Sequence, residues 1–307
     1  MHEPWPLAKK RRTLALRARI VGELRRFFAA RDYLEIETPC LIPAPAPEFH
    51  IDTLACEGWF LQPSPELCMK RLLAAGYDRI FQICRCFRKG ERGARHLPEF
   101  TMLEWYRREA DYRDLMTECE DLLIEAAAAL GYGDVVTYQG EPLRLGKPWE
   151  RLTVAEAFAR FAPLPVAEAL AGDCFDELLA IHVEPRLGRG RPTFLCDYPL
   201  PLASLARGKR GEAAVAERCE LYIAGIELAN AFTELAEERE QRRRFAREEE
   251  ARRRAGKPHY PSPDKFLESL TDLGDAAGIA LGVDRLVMIL ADAPDIDAVT
   301  AFTPETL

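Results

Sequence analysis

Apolar positions along the chain change their period several times, and each change predicts an element. Within 14–31 they fall at Leu16, Ile20, Leu24, Phe27 and Phe28, the stripe of an amphipathic helix. The stripe runs into 33–39, a short strand stopped by Pro39. The proline-rich run 43–47 predicts a loop, and 65–75 a short helix. The period then drops to two, so Phe81–Phe87 and Glu99–Tyr106 predict the strands of a hairpin. Helical spacing returns over 112–130 and 151–161, the second with Thr153 and Glu156 placed as a capping box. The pattern is weakest over 163–211, where a helix at 176–181, a strand at 193–197 and loops at the arginine-rich 186–191 and 207–210 are expected. Residues 217–234 alternate as two strands turning at Ala224-Gly225. Near the end, 278–285 predicts a strand that breaks at glycine, with a helix opening near Asp284 and the apolar run 286–290 behind it.

The helix expected at 237–254 is almost wholly charged. Glu238/Arg242, Glu240/Arg244, Glu248/Arg252, Glu249/Arg253 and Glu250/Arg254 stand four apart in the favourable order. An RNA-binding arginine helix and a solvated helix face both fit; neutralisation by the acids favours the solvated face.

With 307 residues, 48% of them hydrophobic and 30% charged, the chain can bury a large core, and no composition break divides it, so a single domain over 1–307 is expected. A net charge of −8 argues against gripping nucleic acid as the main task. The basic run Lys9–Arg12 is not followed by an apolar stretch of signal-peptide length, and no segment is apolar enough to span a membrane. The nine scattered cysteines include no C-x-x-C pair, which suits reduced thiols and a cytoplasmic protein. Cys84 and Cys86 share a strand face, but no second ligand pair stands near them to complete a metal site.

Three places carry candidate chemistry. The loop of the predicted hairpin is cationic, with Arg88, Lys89, Arg92, Arg95 and His96 around Gly90 and Gly93, and suits either polyphosphate or bulk water. Glu220 and Glu227 flank the predicted turn as hard oxygen ligands for Mg²⁺ or as solvated strand acids. The glycine-broken strand at 278–285 is a common strand-to-helix turn and by itself a weak signal.

Taken in order, these segments resemble the three motifs of class II aminoacyl-tRNA synthetases of the lysyl type. Residues 18–39 are similar to motif 1, "FRKGERGARHLPEFTMLEWY" to motif 2, and "GIALGVDRLVMIL" to motif 3. "ERCELYIAGIELANAFTEL" looks like the lysyl-type segment with metal-binding acids and the substrate selector. Coverage runs from about residue 13 to 303. "SPELCMKRLL" and "PEFTMLEWYR" look like the short paralogues that attach lysine or β-lysine to a lysine of elongation factor P. A truncated synthetase charging tRNA or another carrier, and a catalytically quiet regulatory paralogue, are the alternatives. The short N-terminal part, without space for an anticodon-binding barrel, and the acidic charge make tRNA the weaker expectation.

The resemblance implies an α+β fold, a class II catalytic domain built on a mostly antiparallel sheet flanked by helices, and a homodimer through motif 1. It implies that lysine or β-lysine is activated with ATP and Mg²⁺, then transferred to elongation factor P. Arg88 would hold the α-phosphate and the substrate carboxylate, and Arg285 the γ-phosphate; a guanidinium is permanently charged and binds two phosphate oxygens at once. Lys89, Gly90, His96, Leu97, Glu227 and Leu228 fall at nucleotide positions, Phe100 would stack on adenine, and Gly282 would let the backbone approach the nucleotide. Glu220 and Glu227 would hold Mg²⁺. Ser64, Pro65 and Glu66 would lie at the substrate, with Glu66 taking the α-type amine, Glu234 and Tyr106 the distal ammonium, and Asn230 the carboxylate region, and with Ala280 reshaping the pocket floor. The sequence departs from the family pattern at Gly90, at Leu97 and at Ala231. Those departures predict either a weakened nucleotide site or a shifted loop in which Glu91 serves.

Overall fold

The computed structural model describes residues 6–307. Its centre is an eight-stranded sheet ordered Leu34–Glu35, Arg79–Phe87, Glu99–Arg108, Ala276–Gly282, Ile226–Thr233, Val215–Ile223, Thr193–Pro199 and Glu150–Thr153. Only the two outermost pairings are parallel; the other five are antiparallel. Helices Arg11–Ala29, Tyr112–Ala129 and Val283–Leu290 cover one face and bury the largest core, which includes Leu24, Phe28, Leu115, Trp105 and Leu286. This is the expected α+β architecture. No described helix is long and apolar enough to cross a membrane.

Strand alternation sorts the sheet into two chemistries. On Glu99–Arg108, Leu103 and Trp105 point into that core, while Phe100, Met102, Glu104 and Tyr106 line a cavity on the opposite face. The 226–233 and 276–282 strands do the same, sending Asn230, Phe232, Gly278, Ala280 and Gly282 to the cavity.

The motif hairpin forms with strands slightly longer than expected, and the turn at 224–225 lies where the alternation placed it. Ala224 and Gly225 have φ of 55° and 72°, the paired left-handed conformation that matches strand twist. Thr153 caps the Val154–Phe161 helix with its capping box complete.

Some expectations need correction. The strand at 33–39 shrinks to Leu34–Glu35, because the Thr38 N–H bonds the Gln82 side chain instead of a strand neighbour. The helix expected over 151–161 begins only at Val154, since Glu150–Thr153 is strand and pairs in parallel with 193–196. The helix at 176–181 is Phe175–Leu178 continued by a π-helical turn at Leu179–Val183. The helix Val166–Ala171 and the hairpin of Val135–Tyr138 and Glu141–Arg144 were not foreseen.

The charged helix Glu238–Arg254 is not uniformly solvated. Arg242, Arg244 and Arg254 make the expected pairs four residues apart, but Arg252 turns inward and is fully buried. It donates to the Glu48 and Ile51 carbonyls, pairs with Asp52 at 3.0 Å and stacks on Tyr260. Glu248 accepts from the Phe49 N–H at 2.9 Å as well, so the helix pins the 48–52 loop.

Candidate active site

The cavity on the open face of the sheet is about 940 Å³. Of the residues expected at the nucleotide, Arg88, His96, Leu97, Phe100, Glu227, Leu228, Gly282 and Arg285 line it; of those expected at the amino acid, Ser64, Glu66, Tyr106, Asn230 and Ala280 do, with Glu220 on the wall. The structure thus brings together most of the residues expected there. Lys89 and Gly90 lie in the exposed loop outside the cavity, and Pro65 and Glu234 stand behind its surface.

The hairpin sets Arg88 where its guanidinium lies 5.2 Å from the Phe100 ring centroid and 3.8 Å from Glu91, so Glu91 does reach the cavity from its shifted position. The Arg88 Nε is buried and has no partner among the described residues. Across the cavity, Arg285 donates to the Glu227 carbonyl at 2.7 Å and to His96 Nε2 at 2.7 Å. His96 accepts that bond as a neutral ring, because burial and then Arg285 lower its pKa. Of the basic loop, Arg92 is committed elsewhere, to Asp297 and Glu305, while Arg95 donates to the Gly225 carbonyl at the cavity wall. Leu97 packs into the helix-side core with 4% exposure; an asparagine there would bury a polar amide.

The amino-acid half holds a charge arrangement that the sequence reading only partly anticipated. Glu66 and Glu234 both contact the ammonium of Lys70, a buried side chain of the Glu66–Ala74 helix. Lys70 Nζ lies 2.5 Å from Glu234 Oε2, yet neither Glu234 oxygen has a well-aligned hydrogen bond. Burial alone would discharge Lys70, but the two carboxylates outweigh it and keep the ammonium charged.

The residue missed is Glu104. It is fully buried, accepts from Ser64 Oγ at 2.6 Å and from Tyr106 Oη at 2.8 Å, and pairs across the sheet with Ala280. Burial and then Glu66 push its pKa up to about 7. The signal was available, since Glu104 alternates with Tyr106 on the cavity face of the strand. Three carboxylates face one lysine here; burial pushes the pKa of Glu104 up to about 7 and that of Glu234 up to about 8, so the pocket holds an excess of acid that a diammonium ligand would draw into its charged form.

Gly278 sets the floor. A Cβ there would stand 2.1 Å from Tyr106 Cε1 and 2.6 Å from Glu234 Oε1, so only glycine fits. Gly282, the glycine singled out from the sequence, faces nothing closer than 3.6 Å from its own chain and opens onto the cavity.

Glu220 is more heavily bonded than expected. Its Oε2 accepts from Tyr198 and Tyr222, and its Oε1 from the half-buried Arg218, a second residue the sequence reading passed over. Glu227 keeps one oxygen free, and its pKa is raised by burial and then by Glu220. A cation between the two would relieve that repulsion. No group of three metal ligands exists among the described residues, so the pair fits Mg²⁺ arriving with substrate phosphates rather than an all-protein cage. Cys84 and Cys86 lie 3.9 Å apart, sulfur to sulfur, as free thiols.

The family model for class II tRNA synthetases (D, K and N) matches residues 7–306. The chain is similar to an elongation factor P–(R)-β-lysine ligase of Salmonella gallinarum, 41% identical over 310 residues and covering 94% of each chain. A ligase of the same name from Enterobacter sp. is 40% identical over 309 residues, again covering 94% of each. With motifs 2 and 3 meeting at one cavity, the chain belongs to the class II tRNA synthetase family of the D, K and N type.

Proposed function

We propose that this chain is an ATP-dependent ligase. It activates (R)-β-lysine or lysine as the adenylate and transfers the acyl group to the ε-amine of a lysine on elongation factor P. The observation that carries this reading is the amino-acid pocket, where Glu66, Glu104 and Glu234 stand against Lys70 alone. A diammonium substrate satisfies it; a neutral or acidic amino acid leaves buried charge unpaired. The relatives named as elongation factor P ligases supply the acceptor.

In the first step a substrate carboxylate oxygen attacks the α-phosphorus, and pyrophosphate leaves. Both reactants are anionic, so the work is alignment and charge compensation. Arg88 holds the carboxylate against the α-phosphate, and its unpartnered Nε is an available donor. Arg285, positioned by Glu227 and neutral His96, meets the departing phosphates. Glu220 and Glu227 would hold Mg²⁺, which supplies charge neutralisation on the phosphates. Phe100 offers a ring for adenine, beside the Arg88 guanidinium. In the second step the acceptor nitrogen attacks the acyl carbon, and AMP leaves.

The direct test is the mass of purified elongation factor P after incubation with enzyme, ATP and (R)-β-lysine or lysine. A gain of one aminoacyl group is expected, and no gain at any enzyme level overturns the proposal. Labelled lysine appearing on tRNA would favour the synthetase alternative. Pyrophosphate exchange dependent on either amino acid excludes the quiet paralogue and ranks the two isomers. We further propose one catalytic domain over 1–307, assembled as a two-fold homodimer and working in the cytoplasm; light scattering at micromolar concentration checks the dimer.

A further inference from the structure

A second cavity, of about 240 Å³, adjoins the first and shares Glu48, Pro201, Ser204 and Glu248 with it. Leu200, Pro201 and Phe245 give it apolar walls; Glu240, Arg243, Arg244 and Arg247 also line it, with Arg243 and Arg244 both paired to Glu240. Apolar walls beside the Glu48 and Glu248 carboxylates suit the long stem and cationic tip of a lysine side chain.

Glu48 stands at the junction. The loop carrying it is fixed from two directions: Arg252 donates to the Glu48 carbonyl at 2.9 Å, and the Phe49 N–H donates to Glu248 at 2.9 Å. Its carboxylate, by contrast, has no hydrogen bond and no ion pair among the described residues. The charged groups facing it are Glu66 from the 66–74 helix, Arg88 from the hairpin, Arg218 from the 215–223 strand and Glu248 from the 238–254 helix. Arg88 is the side chain expected to hold the activated carboxyl, so Glu48 lies between that group and the second cavity.

We propose that the second cavity is the channel for the acceptor lysine, and that Glu48 takes the proton that turns its ammonium into a nucleophile. This rests on the transfer reading above. A lysine amine, with an ordinary pKa of about 10.4, arrives protonated at neutral pH. Glu48 removes one proton; the freed nitrogen pair forms the C–N bond to the acyl carbon. The C–O bond to phosphate breaks with its electrons going to AMP, and the second nitrogen proton passes to water. Burial first, and Glu66 next, push the Glu48 pKa up to about 7 against the pull of Arg88 and Arg218, a value matched to this task near neutrality.

The test compares single-turnover transfer to elongation factor P with lysine-dependent pyrophosphate exchange in each variant. E48Q should lower the ratio of transfer to exchange by about 100-fold or more, and E48D should restore part of it. Wild-type transfer should rise with pH through about 7, and E48Q should flatten that profile. Hydroxylamine, already unprotonated at neutral pH, should intercept the adenylate equally in both proteins. L200W, which narrows the channel alone, should impair elongation factor P but not hydroxylamine. An E48Q ratio within threefold of a transferring wild type overturns the role of Glu48 and leaves the ligase reading standing. A wild type that exchanges yet never transfers overturns the acceptor, and the channel with it.

Discussion

Gly278 and Glu104 bear on substrate choice more directly than any motif arginine. The Cβ added by Gly278→Ala would collide with the Tyr106 ring, held in the 99–108 strand, and with the Glu234 carboxylate just past the 226–233 strand. Displacing Tyr106 by about an ångström predicts a loss of lysine-dependent exchange of about 100-fold, with folding intact by circular dichroism. A loss under about threefold would show that the floor is not where lysine binds. Glu104 predicts a pH dependence. Its pKa of about 7 means that it is increasingly neutral below that pH, and a neutral carboxyl does not attract an ammonium. Lysine binding therefore weakens as pH falls, by about tenfold per unit well below pH 7, and strengthens as pH rises through it. Calorimetry between pH 5.5 and about 8 checks the slope, and Glu104→Gln should reduce it, leaving the part due to Glu234, whose pKa burial pushes up to about 8.

Among elements, one carboxylate ties the three motifs together. Asp284, at the start of the 283–290 helix, pairs with Arg17 of the 11–29 helix at 2.5 Å and accepts from the Thr101 N–H of the hairpin at 2.7 Å. Arg17 also donates to the Thr101 hydroxyl at 2.7 Å. Asp284 is 3% exposed and Arg17 16% exposed, so removing the acid strands a mostly buried guanidinium. Asp284→Ala should cost about 3 kcal/mol in urea unfolding, and Asp284→Asn less because an amide oxygen still accepts from Thr101. A cost below about 1 kcal/mol would mean that the pair is no more than a surface bridge. Arg285 follows immediately in sequence, so activity should fall further than stability in both variants.

Over the whole molecule, the cavity is closed by parts distant in sequence: the sheet, the 66–74 helix, the loop pinned by the 238–254 helix, and Glu184. Substrates bridging these parts bind only the folded chain, so saturation stabilises it by mass action. Lysine with a non-hydrolysable ATP analogue at about 100 times its dissociation constant should add about 2.7 kcal/mol; leucine and glutamate should add nothing. Equal stabilisation by leucine would contradict a pocket that selects two positive charges.

Local pattern was enough for the hairpin, the 112–129 helix, the 224–225 turn and the break at Gly282, because apolar period and turn chemistry act over neighbouring residues. It was also enough, through motif order, for the family and for most of the cavity lining. Pairing across distance was beyond it. Residues 150–153 became strand because 193–196 offered a partner, and Arg252 went inside because a distant loop offered carbonyls. The charge state of the pocket was likewise a tertiary outcome. Glu66, Lys70, Glu104 and Glu234 come from three separate elements, and only their meeting in a buried site sets which are charged and which substrate they require. Side-chain identity is written residue by residue, whereas burial and Coulombic neighbours exist only once the chain has closed on itself.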